Sequence, residues 1–162
     1  TWELLWPFFT TGCLFTHMYE RILVPTDGSD YALAAAQEAI GLAERFGARL
    51  HAVYVVDSAA LPSTIDAGYV SEALEEAGEE ATRTILDRAA DADVETADPA
   101  VVYGTPHRAI LEYAEDNDVD LVVMGTHGRT GLDRYLLGSV AEKVVRSCPV
   151  PVLTVRSPVE AD

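Results

Sequence analysis

The stretch LVVMGTHGRTGLDRYLLGSVAEKVVRS, Leu121 to Ser147, decides how the rest of the chain is to be read. A continuous apolar run, Leu121 to Met124, stops at Gly125. Gly128 and Gly131 follow, and Gly138-Ser139 then precede apolar positions at Val140, Val144 and Val145, a helical spacing. This is strand, glycine-marked loop and helix N-terminus, an order that turns backbone N–H groups toward an anion such as phosphate. Each glycine alone has a plainer use. Gly125 could end a strand, Gly128 and Gly131 could be turn residues, and Gly138 could precede a helix cap at Ser139. Together they mark a connection longer than compact domains use for connection alone, and loops of that size usually carry function.

Such a loop needs a sheet, and the flanking sequence supplies one. Arg21 to Thr26 (RILVPT) is a short apolar run ended by Asp27-Gly28, the pattern of a buried strand with a turn behind it. Ser29 or Asp30 can cap the helix that follows, whose apolar positions are Leu33, Ala36, Ile40 and Ala43, and Gly47 stops it. Arg49 to Val56 is a second strand, 58 to 68 a loop, and Val70, Leu74, Ala77, Ala81, Ile85 and Ala89 the stripe of a long helix with an acidic opposite face. Ala100 to Tyr103 is the third strand. Thr105-Pro106 reads as a cap with proline at the first helical position, opening a helix to about Asn117. Val119 to Met124 is the fourth strand and Val150 to Val155 the last, placed at a sheet edge because Pro151 removes a ladder donor. Strands that are continuous apolar runs alternating with helices predict an α/β fold, an open doubly wound five-stranded parallel sheet with helices on both faces.

At 162 residues the chain suits one domain, 18–157, with a short tail at 158–162. Residues 1–17 differ from the rest, holding both tryptophans and three of the four phenylalanines, and read as an atypical N-terminal extension. They lack a convincing secretory pattern, and no apolar run reaches the ~18 residues of a membrane span, so the expected location is cytoplasmic. Cys13 and Cys148 give neither a disulfide framework nor metal-ligand spacing, and Cys148 reads as a small buried residue. There are 27 acids against 11 bases, Lys143 being the sole lysine, for a formal charge of −16. That balance disfavours nucleic acid and anionic membrane as partners.

Ligands of doubly wound sheets bind beyond the carboxyl ends of the strands where strand order reverses. Those ends carry Pro25, Thr26 and Asp27, then Val55 to Asp57, then Met124 to Gly128. If the first and fourth strands are neighbours, Asp27 meets the loop amides across one crevice: a carboxylate suited to a ribose hydroxyl or a metal, and N–H donors suited to phosphate. His127 has no visible partner base or nucleophile, and a contact through its backbone is the better reading. Arg129 and Arg134 could pair with phosphate or only neutralise nearby acids. His51 and His107 have no metal-site spacing, and no catalytic residue set is visible.

Gly125-x-x-Gly128, nine residues, then Gly138-Ser139 resembles the nucleotide-binding signature of the universal stress protein family. ILVPTDGS at Ile22 to Ser29, VYVVD at Val53 to Asp57 and SCPVPVLTV at Ser147 to Val155 are similar to that family too, and the resemblance covers about Met18 to Arg156. It implies a Rossmann-like sheet ordered 3-2-1-4-5 that binds ATP. Pro25, Thr26, Asp27 and Val55, with Met124 alongside, would surround adenine and ribose. Gly125, Gly128, Gly138, Ser139 and Val140 would hold ribose and phosphates, with His127 and Arg129 as further candidate phosphate contacts. Mg²⁺ or Mn²⁺ would ride on the phosphates, and a homodimer would form through Val150–Val155. The implied role is a stress-response regulator driven by binding. The alternative is a slow ATP hydrolase or nucleotidyl transferase on the same adenine-binding fold. The G-x-x-x-x-G-K-[ST] loop is absent, as is G-x-G-x-x-G after the first strand, which disfavours a P-loop or dinucleotide enzyme. A phospho-accepting receiver would want clustered acids at the first strand end, where Asp27 stands alone, and a lysine after the last strand, where the chain has Arg156.

The acids are spread over helices and loops rather than gathered in a tail, which suits a salt-loving source in which screening shortens charge repulsion. The expected outcome is a melting midpoint that rises as KCl is taken from low to molar concentration. A flat or falling midpoint overturns the halophilic reading.

Overall fold

The computed structural model describes residues 18–61, 63, 67–128 and 137–156; the extension at 1–17 and the tail at 158–162 lie outside them. The five apolar runs become five strands: β1 (Arg21–Thr26), β2 (Arg49–Asp57), β3 (Ala100–Gly104), β4 (Leu121–Gly125) and β5 (Val152–Val155). Between them lie α1 (Asp30–Phe46), α2 (Ala67–Asp91), α3 (Pro106–Asp116) and α4 (Ser139–Ser147). All pairings are parallel and the order is β3-β2-β1-β4-β5, as expected. Among the described residues, no helix is long and apolar enough to cross a membrane.

Side chains alternate across a strand, and this alternation divides the core in two. Ile22 and Val24 of β1, Leu50 and Ala52 of β2, and Leu121 and Val123 of β4 pack under α1 and α2, where they meet Ala35, Ala36, Ala39 and Ile85. Leu23, Val53, Val122 and Met124 face the other way, against Ile110 and Ala114 of α3 and Ala141 and Val144 of α4. Helices therefore cover both faces, and the central strand is buried from Ile22 to Thr26.

Ser29, with extended φ and ψ, caps α1 by accepting from the Ala32 N–H, and Asp30 occupies the first turn. Gly47 at φ 66° ends α1 in the left-handed region. Several features differ from expectation; Cys148, for one, is half-buried and not fully buried. Thr105 makes no side-chain cap bond, although Pro106 does open α3; proline brings no N–H to satisfy there. The segment at 58 to 68 is shorter as a loop than expected, because Ser58–Ala60 form a 3₁₀ turn and α2 begins at Ala67. At the other edge, β5 starts one residue after Pro151, whose carbonyl accepts from the Val122 N–H at 3.0 Å. The imino residue thus sits ahead of the ladder and keeps its acceptor role.

At the amino-terminal end of the sheet, the Asp120 carboxylate accepts from the Glu20 N–H at 2.8 Å and the Arg21 N–H at 3.2 Å. One side chain therefore splices the start of β1 to the approach to β4.

His51 of β2 is 5% exposed, shares a 3.2 Å hydrogen bond between Nδ1 and the Tyr113 hydroxyl of α3, and meets that ring edge-on. Its Nε2 is buried without a hydrogen-bond partner among the described residues. Burial first, then the Arg49 and Arg21 charges, hold the imidazole below the ordinary 6.5. Below that value an unfolded chain takes up a proton that the folded one refuses, so this stabilising contribution is complete above pH 6.5 and is lost as pH falls toward the folded value. Between about pH 7 and pH 5 the urea midpoint should fall more steeply for the wild type than for His51→Phe. Equal slopes would remove His51 as the source.

Candidate nucleotide site

Strands β2 and β3 lie to one side of β1, and β4 and β5 to the other, so the order reverses between β1 and β4. Beyond β1 the chain turns sharply. The Thr26 hydroxyl accepts from the Gly28 N–H at 3.1 Å, Asp27 Oδ1 accepts from the Ser29 N–H at 3.0 Å, and Gly28 adopts φ 78°. A side chain is disfavoured at that φ, which is why glycine stands there. The turn leads directly into the capped N-terminus of α1.

The signature glycines each meet a neighbour at close range. A Cβ on Gly125 would lie 2.9 Å from the Tyr31 carbonyl carbon, oxygen and Cβ, in the first turn of α1. A Cβ on Gly128 would lie 2.7 Å from Asp27 Oδ2. The end of β1 and the start of the loop therefore do meet across the crevice. At the loop's far end, a Cβ on Gly138 would lie 3.1 Å from the Thr126 carbonyl oxygen and 3.4 Å from His127 Cα. Backbone approach demands a glycine at Gly125, whereas the Asp27 carboxylate could turn away from a side chain at 128 and the contact at Gly138 is tight without being prohibitive.

Gly138 is itself the N-cap of α4, with no side-chain cap bond, and Ser139 opens the helix rather than capping it. The Gly138 N–H donates to the Thr126 carbonyl at 2.7 Å, and the Glu142 N–H to the Gly138 carbonyl at 2.9 Å. Ser139, Val140 and Ala141 precede the first such bond, so their amides have no acceptor within the helix. Three N–H groups at the positive end of a helix suit an anion.

Of the other residues singled out from sequence, Thr26 is buried at the end of β1 and Pro25 lies in register with Val53 of β2. Val55 and Met124 lie on the α3/α4 face, Met124 buried and Val55 half-buried. Arg129, Gly131 and Arg134 lie outside the described residues. His127 Nδ1 shares a 3.0 Å hydrogen bond with the Thr126 hydroxyl, and its ring stands 5.4 Å from that of Tyr31. From sequence, Thr126 stood out only as part of the strand end Met124 to Gly128, and Tyr31 not at all. Thr126 is 6% exposed and its N–H donates to the Val155 carbonyl of β5 at 2.9 Å. A polar residue directly after an apolar strand was the available signal for Thr126; nothing comparable marks Tyr31. Among the described residues, no group of three or more His, Cys, Asp or Glu could hold a metal ion.

Comparison with known proteins shows which chains this one is similar to. The family model described as "Universal stress protein family" matches residues 18–156. A universal stress protein of Methanocaldococcus jannaschii is 43% identical over 145 residues, covering 88% of this chain and 85% of its own length. The solved structure of universal stress protein UspA from Lactobacillus plantarum is 34% identical with a TM-score of 0.74, covering 85% of this chain and 98% of that one. A crystal structure of a universal stress protein in complex with cAMP is 30% identical with a TM-score of 0.62, covering 86% of this chain and 98% of that one.

Glycine contacts generate a paired prediction. Gly125→Ala must displace the first turn of α1 and should cost about 1–3 kcal/mol in denaturant unfolding. Gly41→Ala, in the middle of α1 with nothing within 4 Å of the new Cβ, should instead add up to about 1 kcal/mol. Equal effects would contradict the close approach at Gly125.

Proposed function

The chain belongs to the universal stress protein family, and from that premise we propose that it is an ATP-binding regulatory protein of the stress response that works by binding rather than by turnover. The observation that carries this reading is the uncapped N-terminus of α4, held against the Thr126–His127 backbone at the switch point of the sheet. Phosphates would take the amides of Ser139 and Val140 and the backbone of Gly125 and Gly128. Adenine and ribose would lie among Pro25, Thr26, Val55 and Met124, with Asp27 offering its carboxylate to a ribose hydroxyl or to a cation. Mg²⁺ or Mn²⁺ would be held chiefly through phosphate oxygens, since the described residues offer no three-ligand set of their own. The cAMP complex of the 30% identical relative supports an adenine nucleotide in this fold.

A binding role is favoured because the described crevice offers hydrogen-bond donors and a single carboxylate, while the one imidazole there is engaged with Thr126. The partner surface in this reading is β5, an edge strand with Leu153 exposed, which would join two copies. The protein would act in the cytoplasm of a salt-loving cell.

The test is to purify the full chain in molar salt and identify any nucleotide that accompanies it. ATP turnover and sedimentation are then followed in the same preparation. Bound ATP, negligible turnover and a dimer are expected. Many turnovers per minute would instead make it a slow hydrolase or nucleotidyl transferase. No nucleotide binding would leave a structural or partner-binding module, and a monomer would remove the β5 interface.

A further inference from the structure

Thr126 holds three parts of the molecule at once. Its N–H donates to the Val155 carbonyl at the end of β5, and its carbonyl accepts from the Gly138 N–H at the closing end of the glycine loop. Its hydroxyl shares a hydrogen bond with His127 Nδ1. The residue is 6% exposed, so none of these bonds is readily exchanged for water. The imidazole that holds the hydroxyl is fixed in turn. Its ring leans on Tyr31, whose backbone is the one packed against Gly125. Its Nε2 is sealed from solvent and meets no hydrogen-bond partner among the described residues. A side chain that reached into an open crevice for phosphate would present that nitrogen to water.

We infer that His127 is a positioning residue acting through Nδ1 on Thr126. It aims the Thr126 carbonyl at the Gly138 amide and so keeps the two ends of the glycine loop, and with them the α4 N-terminus, in one place. The inference rests on the nucleotide reading only where binding is the readout. With the two ends of the loop held together, less ordering would accompany binding, which favours a tighter complex.

The two ring nitrogens can be separated by substitution. Asparagine places a polar atom near the position of Nδ1, and glutamine near that of Nε2. The full-length chain is prepared as wild type, His127→Asn, His127→Gln, Thr126→Val and Thr126→Ser. Hydrogen exchange of the Gly138 amide is measured without ligand, and the Kd for Mg-ATP by calorimetry. Expected are near wild-type values for His127→Asn and Thr126→Ser. In His127→Gln and Thr126→Val, exchange at Gly138 should be about tenfold faster and the Kd about tenfold weaker, the scale of one lost buried hydrogen bond. Combining His127→Gln with Thr126→Val should add little further.

The reverse order, with His127→Gln intact and His127→Asn impaired, would overturn the inference and make Nε2 a ligand contact. Uniform loss across all variants, or no change in any, would overturn it as well. If the wild type binds no nucleotide, the proposed function fails, and Gly138 exchange still decides this inference alone. Should Thr126→Val not fold, the contrast between asparagine and glutamine at His127 still separates the two roles.

Discussion

Helix α1 can lie directly over the end of β4 only because Gly125 has no side chain. The contact involves the Tyr31 backbone, which cannot swing aside as a side-chain tip would. Farther along the helix, Ala32, Ala35, Ala36, Ala39 and Ala43 are buried and keep the same short separation from the sheet. The turn before α1 carries Asp27, so the height of the helix also sets the height of the carboxylate, which meets Gly128 across the gap. A bulkier residue at 125 would therefore disturb the core and the crevice together. Packing and site geometry share one constraint.

Helix ends are treated differently according to where they lie. The N-terminus of α1 is closed by the Ser29 side chain, and that of α3 begins with a proline that has no N–H. By contrast, α4 begins with a glycine cap that makes no side-chain bond, so its first amides have no acceptor within the helix. This positive end belongs to a chain of formal charge −16, whose overall field repels anions. An anion at those amides would therefore be held at short range, through directed hydrogen bonds, and not steered from afar. The surface ion pairs do little to offset the excess of acids. Arg49–Glu95, Arg83–Glu79 and Arg146–Glu142 are all solvent-exposed, and such pairs contribute between nothing and about 1 kcal/mol each.

Much of this was legible in the sequence, for local reasons. Apolar runs bounded by Gly, Pro and Asp set the strands within a residue or two, and the stop at Gly47 and the cap at Ser29 follow from backbone preferences that need no tertiary context. The meeting of Asp27 with Gly128 was also readable, because strand order fixes which turns share a crevice. What escaped depended on contacts distant in the chain. His51 and Tyr113 are brought together by the docking of α3, and no periodicity announces that pair. Thr126 looks like an ordinary polar residue at a strand end, yet its backbone groups are taken by Val155 and Gly138, both far along the sequence. The helix cap falls one residue before Ser139, since a serine ahead of an apolar stripe has the right chemistry for capping and only geometry shows that Gly138 holds the position.

The Asp120 clamp on Glu20 and Arg21 settles on which side the polypeptide enters the domain. β1 runs six residues from that clamp to Thr26, roughly 20 Å at the usual rise of a strand. The two ends of that strand therefore do different work: the clamp ties the sheet together at one pole, and the turn at Asp27 and Gly28 meets Gly128 at the other.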